Sequence, residues 1–194
     1  MQRINIDYSK IVLRQLEVQD VSEAYVKWLN DPEVNKFLEI RHLTPILKQD
    51  VIKFVEMCNE INRYHWGIIY DRKHVGNISC SIVDKMNKYV NISNLIGEKK
   101  YWNSDICKLS LNAAMNYLFC NSHFNRIEAG TYSVHLSGIT LLTNLGFKKE
   151  GVQKERAIVN GKYIDYVLFG ITKKEWDLHN HSLPLVKIDK PFWE

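Results

Sequence analysis

His135 has the imidazole pKa, near neutrality, that proton transfer requires. It follows closely on the strand-like run Arg126-Ile-Glu-Ala-Gly-Thr-Tyr132. A histidine in such a loop can also cap the next helix or line a channel. His179 and His181 have a metal-like spacing, but in a polar tail such a pair is more often without function, and no metal is expected. The four cysteines are Cys58, Cys80, Cys107 and Cys120. None forms a CxxC pair, so zinc and thioredoxin-like chemistry find no support. Three of them stand in apolar surroundings and read as small core residues.

The net charge of +4 over 194 residues is small, and the basic residues are scattered. A nucleic-acid protein would concentrate them in a stripe. The balance suits a protein that holds an anionic ligand at one site, or simply a mildly basic surface. The run Met-Gln-Arg-Ile-Asn-Ile-Asp lacks a signal-peptide pattern, and no apolar run reaches the length of a membrane span. A reducing, cytoplasmic setting is expected, with no nucleic acid and no membrane as partner.

Local signals then place the elements. Ile11–Leu16 reads as a first strand. Asp20 reads as a helix N-cap, with Glu23 completing a capping box. Val21, Ala24, Tyr25, Trp28 and Leu29 share a helical face. Pro32 ends that helix and opens the next, Glu33 to Leu38. Thr44-Pro45 repeats the cap-then-proline signal, and Val51, Phe54, Val55 and Cys58 give another apolar stripe. Trp66–Tyr70 and Val75–Ile82 read as a hairpin around Asp71–His74, and Tyr89–Ile96 as the fourth strand. A long helix ends near Asn121, and a shorter one covers Ile139 to Leu145. In Asn144-Leu-Gly-Phe-Lys-Lys-Glu-Gly151, Gly146 fits a left-handed helix exit, after which Phe147 plugs back into the core. Asn160-Gly161 is a two-residue hairpin signal. Thr172-Lys-Lys-Glu175 is a capping box for a last helix, and the tail from His179 carries Pro184 and Pro191.

That order is α+β: one central mixed, mostly antiparallel sheet of about seven strands, with helices on both faces. The long helix is a crossover, so the fourth and fifth strands should be parallel neighbours. From about Val12 to Trp176 the chain resembles the GNAT acetyltransferases, in a branch that includes ribosomal-protein N-terminal and amino-sugar acetyltransferases. The resemblance implies a single domain over 1–176, with 177–194 as a tail that straps the body or moves. It also implies that the fourth and fifth strands splay apart to admit acetyl-CoA.

The family holds the cofactor pyrophosphate on a glycine-rich turn that opens the crossover helix, where N–H groups and the helix dipole face the phosphates. The matching residues are Trp102, Asn103, Ser104, Asp105, Ile106, Cys107 and Lys108, with Asn144 further on. Asn103 and Asp105 stand where the family usually has Gly. Both tolerate a left-handed backbone, so the turn can survive. Asp105 brings a negative charge towards the phosphates, or serves as an N-cap. Lys99, Lys100 and Lys108 could offset that charge or be solvated surface. The resemblance assigns carbonyl polarisation to a backbone N–H near Leu95, Ile96 and Gly97, a role that side-chain change does not threaten.

For proton transfer the family pattern is altered. Asn91 stands where many relatives carry Glu, His135 where they carry Asn, Gly138 where they carry Ser, and Leu142 where other branches place a catalytic Tyr. The catalytic candidates are His135, Glu98 and Tyr132, with Glu128 beside them. The acceptor side is expected to involve Trp28, Arg41, Asn91, Tyr163 and Asp165, with Lys36 a further cation. The segment Trp28–Arg41 resembles that of acetyltransferases acting on amino sugars or nucleotide-linked sugars. The reading is an N-acetyltransferase in which an acceptor amine attacks acetyl-CoA directly, without Cys107 as a nucleophile. The acceptor is a small amine, with an amino sugar ahead of a protein N-terminus. The alternative is a GNAT-fold binding module with weakened catalysis. A homodimer is left open.

Overall fold

The computed structural model describes residues 4–43, 45–61, 63–84, 86–179, 183–184 and 186–189. Thr44 lies outside them, as do His181 and Pro191. Eight strands join one sheet in the order β6-β7-β5-β4-β3-β2-β1-β8. In chain order they are β1 (Ile11–Gln15), β2 (His65–Tyr70), β3 (Lys73–Asp84), β4 (Tyr89–Ile96), β5 (Arg126–Tyr132), β6 (Lys148–Val159), β7 (Lys162–Thr172) and β8 (Lys187–Ile188). The helices are α1 (Glu23–Asn30), α2 (Pro32–Asn35), α3 (Lys48–Glu60), α4 (Ile106–Cys120), α5 (Leu136–Asn144) and α6 (Lys173–His179). The expected α+β class and mixed sheet hold. The strand count is corrected from about seven to eight: β8 lies parallel to β1, pairing Val12 with Lys187 and Leu13 with Ile188.

The chain falls into two compact units: the described residues of 1–81, 94–114 and 184–194, and those of 82–93 and 115–183. In the first, Leu16, Val21, Tyr25, Trp28, Leu29, Val34, Ile46, Val51 and Val55 form an apolar cluster. Burial of such side chains stabilises by roughly 1.5–3 kcal/mol each. A polar chain crosses this core. His65 Nε2 meets the Tyr25 hydroxyl at 3.0 Å and its Nδ1 meets Ser79 Oγ at 2.5 Å. Burial, with the nearby charges of Arg63 and His74, lowers the His65 pKa to about 3.

Helix α1 starts differently from the sequence expectation. Ser22 is its N-cap, and Ser22 Oγ accepts the Tyr25 N–H at 3.2 Å. Asp20 instead takes both Arg14 Nη groups, at 2.9 and 2.6 Å, and accepts the Glu17 N–H at 2.8 Å. The two candidate caps are two residues apart, and the arginine on β1 decides between them. Ala24 is exposed while Tyr25, Trp28 and Leu29 are buried.

In the second unit, β5 pairs antiparallel with β7, and β7 with β6. β4 runs parallel to β5 over Tyr89–Asn91 and Arg126–Glu128, as the crossover requires. Gly146 takes φ 88°. The Phe147 N–H reaches Leu142 O at 3.1 Å and the Gly146 N–H reaches Thr143 O at 3.0 Å. This double closure is the Schellman exit, and Phe147 is buried behind it. Helix α5 begins at Leu136, earlier than the expected Ile139. Thr172 and Glu175 form the expected capping box at α6, with Thr172 N–H to Glu175 Oε2 at 2.9 Å and the Glu175 N–H to Thr172 Oγ1 at 3.3 Å.

Candidate active site

In the first unit the site is built on the end of β4. The Gly97 N–H donates to Val75 O at 2.9 Å and the Glu98 N–H to the same oxygen at 3.2 Å. Peptide groups alternate in direction along a strand. With the Gly97 N–H turned towards β3, the Leu95 N–H faces β3 as well. The N–H and C=O of Ile96 face the opposite edge. On that edge Ile96 O accepts the Trp102 indole N–H at 2.8 Å. Of the three residues expected to polarise a carbonyl, Ile96 has its donor on the side of β4 away from β3, whereas the Gly97 donor is engaged with Val75 O. Gly97 serves packing instead: a Cβ there would overlap the buried Trp28 ring. Trp28 also meets the edge of His74, with ring centroids 5.1 Å apart. Its ring is a core element in this structure.

The turn from Trp102 to Asp105 leads into α4. Ser104 Oγ donates to Tyr101 O at 2.7 Å and accepts the Ile106 N–H at 3.4 Å. Asp105 O accepts the Leu109 N–H at 2.9 Å, which makes Asp105 the residue before the helix proper. The N–H groups of Cys107 and Lys108 therefore have no partner within the helix, and the helix dipole adds positive potential there. Asn103 is exposed; Asp105 and Lys108 are half-buried. Neither Asn103 nor Asp105 is among the residues of positive φ. The turn is thus made without a left-handed residue, and the tolerance of Asn and Asp for that conformation is not what preserves it. Lys99 does not offset Asp105: its ammonium binds Asp31 at 2.7 Å and also Glu33. Lys100 lies 4.9 Å from the Tyr101 ring centre. Cys107 Sγ accepts the Asn94 amide at 3.1 Å, and burial pushes the thiol up to about 12, in keeping with no nucleophilic role. Ile106 is fully buried. Glu98 is half-buried and its carbonyl accepts the Tyr101 N–H at 2.9 Å. Arg41 is half-buried and donates to Leu38 O at 2.7 Å.

In the second unit His135 is the N-cap residue of α5, but its side chain caps nothing. Its Nδ1 lies 3.0 Å from Thr131 Oγ1. A Cβ at Gly138 would stand 2.6 Å from His135 Nδ1 and 3.1 Å from Thr131 Oγ1. The two departures from the family pattern therefore belong together: the imidazole occupies space that only a glycine at 138 leaves. Sequence reading did not find Thr131, because nothing local announces a strand residue that meets a side chain four positions on.

Tyr132 is 1 % exposed and packs edge-on against Tyr166, with centroids 5.5 Å apart. Its ring is thus part of the core of the second unit. Glu128 is held by Arg126 at 2.9 Å and Asn91 is its partner in the ladder. Tyr163 is exposed on β7, and Asn144 is the exposed last residue of α5. Asp165 has a structural task. Strand β6 bulges between Gln153 and Ala157, and Glu155 there has φ 50°. Asp165 Oδ2 takes Lys154 Nζ at 2.8 Å and Oδ1 takes the Glu155 N–H at 3.0 Å, which hold its carboxyl below the usual range. No group of three or more His, Cys, Asp or Glu placed to hold a metal occurs among the described residues. No helix among them is long and apolar enough to cross a membrane.

The first unit offers a helix N-terminus suited to an anion and a strand donor suited to a carbonyl; the second, taken by itself, offers an imidazole oriented by Thr131. Comparison with known proteins identifies the family. Residues 13–168 match the model of the acetyltransferase (GNAT) domain. The N-acetyltransferase p20 of Bacillus licheniformis is 25 % identical over 171 residues, which is 86 % of this chain and 95 % of that protein. The [ribosomal protein uS5]-alanine N-acetyltransferase of Escherichia coli is 34 % identical over 67 residues, about a third of each chain. Spermidine N-acetyltransferase of Vibrio cholerae, solved with CoA and spermine, superposes with a TM-score of 0.78 at 16 % identity, covering 87 % of this chain and 98 % of its own. With a family match over most of its length and a β4 end and α4 turn suited to acyl transfer, the chain belongs to the GNAT family and is an N-acetyltransferase.

Proposed function

We propose that this chain moves an acetyl group from acetyl-CoA to the primary amine of a small acceptor. An amino sugar or nucleotide-linked amino sugar is favoured over a protein N-terminus. The observation that carries the reading is the end of β4, where Gly97 is tied to Val75 and strand alternation turns the Ile96 N–H to the side away from β3. The acceptor nitrogen attacks the thioester carbonyl carbon, a C–N bond forms, and negative charge builds on the oxygen. A fixed donor such as the Ile96 N–H stabilises that charge without reorganising. The C–S bond then breaks, CoA leaves as the thiolate and takes a proton, and the amine loses one. The α4 turn, through the N–H groups of Cys107 and Lys108, holds the pyrophosphate.

An alkylamine is mostly protonated near neutral pH, so a base must take its proton before or during attack. His135 is the candidate. The tautomer that donates Nδ1–H to Thr131 Oγ1 leaves Nε2 as the basic nitrogen. The acceptor class follows the likeness of Trp28–Arg41 to amino-sugar enzymes. The amine in the complex of the Vibrio cholerae spermidine N-acetyltransferase makes polyamines the natural comparison.

The test begins with thermal shift. Acetyl-CoA at a hundredfold excess over its Kd stabilises by about 2.7 kcal/mol, or roughly 5–10 °C for a domain of this size. Thiol release is then followed with an amino sugar, its nucleotide-linked form, a polyamine and a peptide amine. Fastest turnover with the sugars is expected. A polyamine or peptide turned over first would refute the acceptor assignment. Binding of acetyl-CoA without turnover of any amine would leave a binding module as the function.

A further inference from the structure

We propose that Trp102 is a positioning residue for the acyl group, acting through Ile96; this rests on the acetyl-CoA reading above. Trp102 belongs to the cradle by sequence, yet its indole N–H does not point at the turn. It donates 2.8 Å to Ile96 O, on the β4 edge that also bears the Ile96 N–H. The Ile96 carbonyl is one end of the peptide group whose N–H, on Gly97, is fixed to Val75 O at 2.9 Å. That peptide is therefore held at both ends, by β3 on one side and by the indole on the other. Its plane sets the backbone torsion at Ile96, and with it the aim of the Ile96 N–H.

Two glycines tighten the same point. A Cβ at Gly76 would overlap Leu95 O, and one at Gly97 would overlap the Trp28 ring, so β3 and α1 both close on the last residues of β4. The main chain that carries the indole is part of the turn that opens α4: the Trp102 backbone N–H donates to Lys99 O at 3.1 Å and the Ser104 backbone N–H to Tyr101 O at 3.1 Å. A shift of the phosphate-holding turn thus reaches the carbonyl-polarising donor through a single hydrogen bond. An indole N–H is suited to this link because it only donates and its ring direction is fixed by two torsions.

The deciding variant is Trp102→Phe, which keeps an aromatic ring and removes the donor. CoA affinity is measured by calorimetry. The thioester C=O stretch of acetyl-CoA carrying a carbonyl carbon-13 label is read in the bound state by difference infrared spectroscopy. In the native protein the stretch is expected at lower wavenumber than in solution. In Trp102→Phe that shift should be largely lost and kcat should fall about tenfold, with the Kd for CoA within about twofold. A merely structural role would instead weaken CoA and acetyl-CoA alike and leave the shift of the bound fraction intact, which overturns the inference. Native protein that binds acetyl-CoA without any shift overturns it as well. Native protein that binds no acetyl-CoA would instead remove the cofactor reading itself.

Discussion

Replacing Gly138 by Ala should disconnect His135 from Thr131. The new Cβ would lie 2.6 Å from His135 Nδ1 and 2.8 Å from Cε1. Ordinary contact between such atoms begins at about 3.5 Å, so the ring must retreat by roughly 0.9 Å. The Nδ1 to Thr131 Oγ1 distance is 3.0 Å in the native chain. A retreat of that size carries it to about 3.9 Å, beyond hydrogen-bonding range. Thr131 is 8 % exposed, so its hydroxyl loses a partner away from bulk water. The expected cost is about 1 kcal/mol, or roughly 2–4 °C in Tm for a chain of this length. The conformational gain of Ala over Gly in a helix, about 1 kcal/mol, works the other way. Stability alone therefore decides little, and the cycle with His135→Asn is the informative measurement. Asn is shorter and leaves room for the methyl group, so Gly138→Ala should stabilise the His135→Asn background and not the native one. Denaturant melts of the four proteins give the coupling, expected at about 1 kcal/mol. Thiol-release rates give its catalytic counterpart: Gly138→Ala should lower kcat in the native background and leave it nearly unchanged beside His135→Asn. Additive effects in both readouts would refute the pairing of His135 with Gly138.

Acid should destabilise the fold early. His65 is held near pKa 3, chiefly by burial, whereas an unfolded imidazole titrates near 6.5. The contribution is whole above about pH 6.5 and is lost towards pH 3, at about 1.4 kcal/mol per unit. Roughly 2 kcal/mol should therefore disappear between pH 7 and 5, by urea melts; a flat profile would count against a neutral His65. Asp105→Gly should tighten CoA binding several-fold at low salt. The full Coulomb term is about 3 kcal/mol per charge pair at about 5 Å and an effective dielectric of 20, but solvent screening at a half-buried carboxylate reduces it. Unchanged or weaker binding by calorimetry would show that Asp105 does not oppose the pyrophosphate. Gly97→Ala should cost about 1–3 kcal/mol through overlap with Trp28. A melt within a few tenths of native would mean that the ring yields easily.

The strands on either side of the crossover were legible because each begins with an alternation in which every second residue is apolar: Val90 and Ile92 in one, Ile127 and Ala129 in the other. Tyr89–Ile96 and Arg126–Tyr132 lie where the residues place them. Gly146 was legible because few residues but glycine accept φ 88° without strain. Elsewhere the deciding partner is remote. Asp20 looks like a cap until Arg14 claims it. Lys99 looks like a cation that could offset Asp105 until Asp31, distant in sequence, binds it. Tyr132 and Trp28 look like site residues because aromatics line sites, yet both are buried. His135 was found through its chemistry, but its relation to Gly138 exists only in three dimensions. The short β8 carries no periodic signal, and its pairing is set by β1, far away in the chain.

That last pairing imposes an order on synthesis. Val12 meets Lys187, so β1 receives its parallel neighbour from residues that follow it far along the chain and are made long after it. The second unit, by contrast, draws most of its residues from the continuous stretch 115–183. It can condense while the first still lacks its closing strand, since contacts distant in sequence form late. Until then the outer edge of β1 is an open template of unpaired amides, the kind of surface on which nascent chains join one another. The nascent protein is thus open to cross-association at β1, and that exposure ends only when β8 docks.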